Sequence, residues 1–312
     1  MKIDVTLIYL NYNTSNMCNN CINSFLEHYS FEYSYEIIVI DNCSSEFEQD
    51  LLKKNQHITK LITNDTNLGT SKAWNKAAKE ANGDYLFYVN CDMLFINDSI
   101  AYMLECIKSD SNIAICGGNL FDIDLKPAHS FMEKYDISRI FNETNLLFAN
   151  KKEDRISEFN YSDFEFKRVD YICGADMLID KKAFINVGGF DNNIFIYSEE
   201  ADLSIRLRNL GYLIVNTPLA KMIHFEGDSF KKDSQGFSSF RTEHMIFSKL
   251  YLINKHWGYS MSKKFLFKLK KQMIARLVIN TIKLNFRKCK VIYKELKVVY
   301  KLDINKIKEN GI

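Results

Sequence analysis

The feature that most constrains this chain is a series of short apolar runs, each stopping at polar residues. VTLIYL (5–10) leads into Asn11-Tyr12-Asn13, YEIIVI (35–40) into Asp41-Asn42, and DYLFYV (84–89) into Asn90-Cys91-Asp92. None of these runs has a helical period, so each reads as a strand buried on both faces. HITKLIT (57–63) is a weaker run of the same kind, and NIAICG (112–117) is another. Helical patterns lie between them. One has Cys21, Phe25 and Leu26 inward, a second is TSKAWNKAAKEA (70–81), stopped by Asn82-Gly83, and a third covers 98–108. Strands alternating with helices predict an α/β fold on a parallel, doubly wound sheet. Ligands of such sheets bind outside the carboxyl ends of the strands, so the polar residues that end the runs are the candidates for chemistry.

The second half is less regular. Residues 125–165 carry few periodic signals. RVDYICGADMLIDKKAFINVGGF (168–190) reads as strand, glycine turn, strand and short helix. A helix opened by Glu199 puts Leu203, Leu207 and Leu210 on one face and stops at Gly211; LIVN (213–216) is a strand followed by Pro218. HFEGDSF (224–230) is a polar, glycine-containing loop.

The 312 residues, 46% hydrophobic and 26% charged, suffice for a sizeable core and exclude wholesale disorder. The first apolar run is too brief for a signal peptide, carries Asp4 in its flank and lacks a small-residue cleavage site. No stretch approaches an uncharged membrane span, so the expected location is the cytoplasm. The eight cysteines are scattered in apolar segments and read as reduced core thiols. Cys18 and Cys21 form a lone CxxC without the second pair that a zinc site needs.

The net charge of +2 hides an asymmetry. Residues 240–312 hold 18 Lys and Arg against 4 Asp and Glu, a net of +14, whereas residues 1–239 hold 23 against 35, a net of −12. An acidic body with a basic tail predicts that the tail meets something anionic. No recognisable nucleic-acid motif accompanies this charge, so nucleic acid is not the expected partner.

Five constellations can carry chemistry, and each has a plainer reading beside it. Asp41 can accept the imide N–H of a pyrimidine ring, or simply form a turn with Asn42. Gly69, before a helix that contains Asn75, lets backbone approach a phosphate, or is an ordinary loop glycine. Asp92 suits a hard divalent cation whose other positions are filled by water and diphosphate, or closes a strand. Glu199, Glu200 and Asp202 crowd one helix start. They either cap it and meet its dipole, or their repulsion raises the proton affinity of a general base. The imidazole of His224 suits Mn²⁺ better than Mg²⁺, or is merely structural.

Together, in this order, these stretches resemble inverting glycosyltransferases of family 2, and especially the rhamnosyltransferase-like branch. The matching segments are VTLIYLNYN, IIVIDNCSS, NDTNLGTSKAWN, DYLFYVNCDM, CGADMLIDKKAFINVGGFD, FIYSEEADLSIRLRNLGY and the His224 loop. The resemblance implies the GT-A fold, a Rossmann-like, mostly parallel sheet flanked by helices, over 1–239. A nucleotide-sugar part would cover 1–118 and an acceptor part 119–239, with a basic amphipathic helical extension over 240–312.

The resemblance also implies roles. Asn11, Tyr12, Asn13, Asp41, Asn42, Gly69, Asn75 and Asn90 would bind the donor. Asp92 and His224 would hold Mn²⁺ or Mg²⁺, with Cys91 in the place of a common proline. The family's Glu-Asp motif is Glu199-Glu200 here, and alignment through Leu203 and Arg206 makes Glu200 the base and Glu199 the second choice. Gly174, Ala175 and Asp202 would lie on the acceptor side or support the site; Asp176 receives no role. The implied reaction moves a sugar, with inversion, from a UDP- or dTDP-linked donor to a hydroxyl of a glycan or lipid-linked acceptor in cell-surface polysaccharide synthesis.

Two rival functions are weighed against it. A non-catalytic nucleotide-sugar binder or glycan-assembly scaffold would keep Asp41 and Asp92 without needing a base. A nucleotidyltransferase would want a Gly-rich, basic loop after the first strand, and NYNTSNM is neither. In the tail, SKKFLFKLKKQMIARLVINTIKL interleaves cations with large apolar residues. It reads either as a peripheral helix on the anionic inner face of the membrane or as a helical subdomain packed on the acidic body.

Overall fold

The computed structural model describes residues 2–146, 166–225, 238–303 and 307. Residues 147–165 of the irregular stretch 125–165, and the loop after His224 from residue 226, lie outside them; the described part of that stretch holds a short strand and a helix. The chain divides into two compact units. One comprises Met1–Lys134, Lys152–Asn192 and Glu199–Glu226, and the other Tyr135–Lys151, Asn193–Ser198 and Gly227–Ile312.

The first unit opens with β1 (Val5–Asn11), α1 (Ser15–His28), β2 (Tyr35–Asp41), α2 (Glu46–Lys53), β3 (Lys60–Thr63), α3 (Gly69–Glu80) and β4 (Tyr85–Asn90). Then come β5 (Met93–Phe95), α4 (Ser99–Lys108), β6 (Ile113–Phe121) and β7 (Phe131–Met132). The second unit's α5 (Ile137–Leu146) intervenes before β8 (Lys167–Val169), β9 (Tyr171–Ile172), β10 (Asp176–Asp180), α6 (Lys181–Asn186), α7 (Glu199–Asn209) and β11 (Leu213–His224). The predicted mostly parallel sheet flanked by helices, with C-terminal helices after it, is the fold observed. Helix α2 and strand β5 are additions that the sequence reading missed.

The main sheet runs β3-β2-β1-β4-β10-β6-β11-β5, with β8 also paired to β11. Strand β1 pairs in parallel with both β2 and β4, so Asn11 stands opposite Asp41, and Leu10 opposite Asn90. The chain leaves β1 to one side for β2 and β3 and returns on the other for β4. That reversal of strand order is where a doubly wound sheet opens a crevice. The inner runs are buried as their composition demands: Leu7, Ile8, Ile38, Val39, Phe87 and Val89 have no exposed surface, whereas β3, expected to be buried, is an edge strand and only partly covered. Each such side chain contributes about 1.5–3 kcal/mol by leaving water.

Three strands break the parallel pattern, and two of them position the site. Strand β10 runs antiparallel between β4 and β6, with Asp176 opposite Val89. Its N-terminal end therefore lies at the carboxyl edge of β4, and Asn90 N donates to Ala175 O (3.1 Å). Strand β11 does not stop before Pro218 as the sequence suggests. Its register with β6 shifts between Asn216 and Lys221, an irregularity that accommodates a residue with no N–H, and the strand resumes as far as His224. Pairing of His224 with Met93 of β5 then brings the histidine beside Asp92.

Helix α7 buries Leu203 and Leu207, but Leu210 is 59% exposed. The expected third leucine of that face falls past the helix end at Asn209, where Gly211 (φ +88°) turns the chain out.

The second unit is helical. Alongside α5 it contains α8 (Ser239–Trp257), α9 (Tyr259–Ile282) and α10 (Phe286–Lys301). Gly258 (φ +88°) makes the turn between α8 and α9. The core takes Leu250, Leu252 and Ile253 from α8, Phe265, Leu266, Leu269 and Met273 from α9, and Ile292, Leu296 and Val299 from α10. Ser262 Oγ donates to Leu250 O (2.7 Å), and the Phe141 and Phe265 rings meet edge to face.

Candidate active site

The carboxyl edge of the sheet is built in two tiers. The lower tier is buried and internally bonded. Asn11 Nδ2 donates to Asp41 Oδ1 (2.8 Å), while Asp41 Oδ2 accepts from Ser44 N (3.0 Å) and Gln49 Nε2 (3.2 Å). Both residues lack exposed surface. Asn42 is also buried. Its amide donates to Asn67 Oδ1 (2.8 Å), and its carbonyl accepts from Leu68 N (2.9 Å), which fastens the loop entering α3. Gly69 opens α3 at φ +76°, a conformation that favours glycine.

The upper tier faces outward. Tyr12 is half exposed, and Asn13, at φ +56°, is exposed while its Oδ1 accepts from Ser45 N (3.0 Å). Asn75 is engaged elsewhere: its side chain donates to Phe190 O (2.7 Å) and accepts from Phe190 N (2.9 Å). A Cβ on Gly189 would come within 2.6 Å of Asn75 Oδ1, so the glycine permits this close approach.

Beyond β4, Asp92 Oδ1 and His224 Nε2 are 3.5 Å apart, both largely buried, and Phe225 N donates to Asp92 O (3.0 Å). His224 Nδ1 has no hydrogen-bond partner among the described residues. A carboxylate beside a neutral imidazole suits Mn²⁺. No group of three or more His, Cys, Asp or Glu among the described residues could hold a metal. Two protein ligands are nevertheless enough where diphosphate and water complete the shell, so these residues fit such a cation.

Helix α7 supplies the carboxylates. Tyr197 (φ +68°) and Ser198 (φ +69°) precede it, two consecutive non-glycine residues in the left-handed region, where strain of about 1–3 kcal/mol each is held mainly at functional sites. Tyr171 Oη donates to Glu200 Oε1 (2.9 Å), and the His129 ring stacks on Tyr171. Gly174 faces Glu200 at van der Waals distance from where its Cβ would be. Glu199 is buried. That burial first, and the adjacent Glu200 carboxylate second, hold its carboxyl well above the usual range. Burial of this kind favours the protonated form of the Glu199 carboxyl.

Asp202 accepts from Arg206 Nε (2.7 Å), and the guanidinium also donates to Val187 O and Gly189 O (2.7 Å each). This clamp fixes α7 to the Gly188-Gly189 turn. The sequence reading did not single out Tyr171; it lies three residues before Gly174, and nothing in its local pattern marks it. The Asp202–Arg206 pair carries the i,i+4 helix spacing and was legible.

Several known proteins are similar to this chain. Rhamnosyltransferase WbbL of Escherichia coli (strain K12) is 28% identical over 148 residues, 47% of this chain and 54% of that protein. The N-acetylglucosaminyl-diphospho-decaprenol L-rhamnosyltransferase of Mycobacterium tuberculosis (strain CDC 1551 / Oshkosh) is 33% identical over 91 residues, 29% of each chain. The matches thus span about half the length of one curated relative and less of the other. The crystal structure of GalNAc-T7 with UDP, GalNAc and Mn²⁺ superimposes with a TM-score of 0.63 at 15% identity, covering 99% of this chain and 58% of that one, a likeness of fold. The model of Glycosyl transferase family 2 matches residues 6–188, more than half of the chain, and the chain belongs to that family.

Proposed function

We propose that this protein transfers a sugar from a nucleoside-diphosphate sugar to a hydroxyl of a glycan or lipid-linked acceptor in polysaccharide synthesis, with inversion at the anomeric carbon. The observation that carries this reading is Glu200 at the start of α7. It accepts from Tyr171 and faces Gly174, the turn whose next residue, Ala175, is bonded to Asn90 at the sheet's carboxyl edge.

Tyr12 and Asn13 receive the nucleotide, while Asn11, Asp41 and Asn42 hold the loops beneath it. Asp92 and His224 would hold a divalent cation, whose chemistry there would be to offset negative charge on a diphosphate. Glu200 takes the proton of the acceptor hydroxyl as its oxygen bonds to the anomeric carbon and the sugar–phosphate bond breaks. Burial favours the protonated form of the adjacent Glu199, which limits the charge crowded beside Glu200. Such general-base help is worth about 10²–10⁴-fold in rate.

Thermal shift with UDP-, dTDP- and GDP-sugars, each with Mn²⁺ or Mg²⁺, tests the donor. We expect one nucleotide to stabilise the chain in a metal-dependent way, and stabilisation by none of them would overturn the reading. A non-catalytic nucleotide-sugar binder has one feature in its favour, the Glu-Glu departure. It would show donor stabilisation with no transfer to any acceptor, and Glu200→Gln would change nothing.

A further inference from the structure

The second unit carries an unusual surface where α9 meets α10. The connection is only Lys283–Asn285. Ile282, Leu284 and Phe286 are 76%, 71% and 63% exposed, and Ile274, Val278 and Ile279 on the preceding turns are also exposed. Earlier in α9, Phe265, Leu266, Leu269 and Met273 are instead used up in the unit's own core, and the exposed Phe267 is covered on one face by Lys271. The whole helix therefore does not lie as one amphipathic face; its apolar exposure is concentrated at one end.

The tip is held firmly. Leu284 N donates to Thr281 O (3.0 Å), Asn285 N to Asn280 O (2.9 Å), and the Asn285 side chain caps α10 through Lys288 N (3.2 Å). Leu284 adopts φ +53°, a helix-end position that ordinarily takes glycine or asparagine. Neither backbone preference nor core packing accounts for a leucine there. The charge around it is one-sided: residues 259–294 contain 11 Lys and Arg and no Asp or Glu. Lys283, Arg287, Lys288 and Lys290 are exposed beside the apolar tip.

We infer that this tip docks on an anionic lipid membrane, with Ile282, Leu284 and Phe286 entering the headgroup–acyl boundary and the flanking cations resting on lipid phosphates. Apolar points within a basic rim match the two attractions that hold interfacial segments, burial of apolar area and charge at an anionic leaflet. No helix among the described residues is long and apolar enough to cross a membrane, and this attachment requires none. The surface shares no residue with the proposed transfer site, so the inference stands or falls apart from that reading.

Flotation of the full chain with phosphatidylcholine vesicles, and with phosphatidylcholine–phosphatidylglycerol vesicles, tests it. We expect binding to the anionic vesicles alone, weakening as salt rises. The triple variant I282S/L284G/F286S should bind at least about tenfold more weakly. R287Q/K288Q should lose about fivefold for each cation removed. Leu284→Gly alone relieves the left-handed backbone, so it should weaken binding without lowering the melting temperature. Three outcomes would overturn the inference: a wild-type chain that does not float, a triple variant that floats equally well, or sedimentation showing a dimer that the tip substitutions dissociate. Donor-induced thermal stabilisation reports on the sheet unit and is unchanged by these variants either way.

Discussion

The two units of this chain use polar residues in opposite ways. In the sheet unit they are buried and bonded: Asn11, Asp41, Asn42 and Asp202 have almost no exposed surface, and their hydrogen bonds fasten loops to strand ends. In the helical unit the cations are mostly exposed, and large apolar side chains are exposed beside them. Buried polar networks fix geometry because an unmade bond there is expensive. Exposed charge fixes little, since solvent screens it, but it can attract a charged surface. The difference teaches that one unit is organised around atoms that must be placed, and the other around a surface that must be met.

That contrast can be broken by substitution. The largest effect is expected at Glu200. Glu200→Gln should keep donor binding by calorimetry and reduce sugar transfer by about 10²–10⁴-fold. Unchanged turnover would remove Glu200 as the base. Asp92→Ala comes next and should weaken Mn²⁺-dependent donor binding by at least about tenfold; an unaltered Mn²⁺ titration would argue against it.

Tyr171→Phe sharpens the comparison, because it removes the hydroxyl that donates to the Glu200 carboxylate. A hydrogen bond to a charged acceptor is worth about 1.5–3 kcal/mol, so its loss should lower kcat/KM by at least about tenfold while donor binding stays unchanged. An unchanged kcat/KM would mark Tyr171 as a packing residue only.

Asp176 tests the rule of buried polarity itself. Its Oδ2 accepts from Gly118 N (2.7 Å), whereas Oδ1 has no partner among the described residues, and burial pushes its carboxyl well above the usual range. The folded chain keeps a proton that the unfolded chain releases. Stability from this group is therefore fully present below the unfolded carboxyl pKa and declines as pH rises towards the folded value. Asp176→Asn should remove that decline, gaining about 1 kcal/mol or more at about pH 8 and less at about pH 5, read by denaturant melts. The smallest effect belongs to the helical unit: R287Q/K288Q should leave folding stability within about 0.5 kcal/mol.

Much of the fold was legible because a buried parallel strand must be uniformly apolar, and four such runs stood out; the weaker fifth, at β3, proved an edge strand that is only partly buried. The missed elements are short. Strand β5 has three residues, too few to show a period, and α2 is only eight residues long, with Leu52 buried and Phe47 exposed. Leu210 was misplaced because periodicity extends a helix on paper past the point where glycine ends it. The tail's apolar residues were legible as a set. Which of them the helical unit buries and which it leaves outside depends on packing partners that are remote in sequence.

The sequence alone determined the strand order along the chain, the polar residues that close each strand, and the crowding of Glu199, Glu200 and Asp202 at a helix start, because these are local properties of composition and spacing. Only the tertiary structure decided that β10 runs antiparallel and so carries Gly174 to the edge where β4 ends, and that β11 continues past Pro218 to set His224 beside Asp92. It alone also joined Tyr171 to Glu200, across 29 residues of chain. The physical reason is that strand direction and long-range hydrogen bonds are chosen by the packing of the whole sheet, and no window of neighbouring residues contains that information.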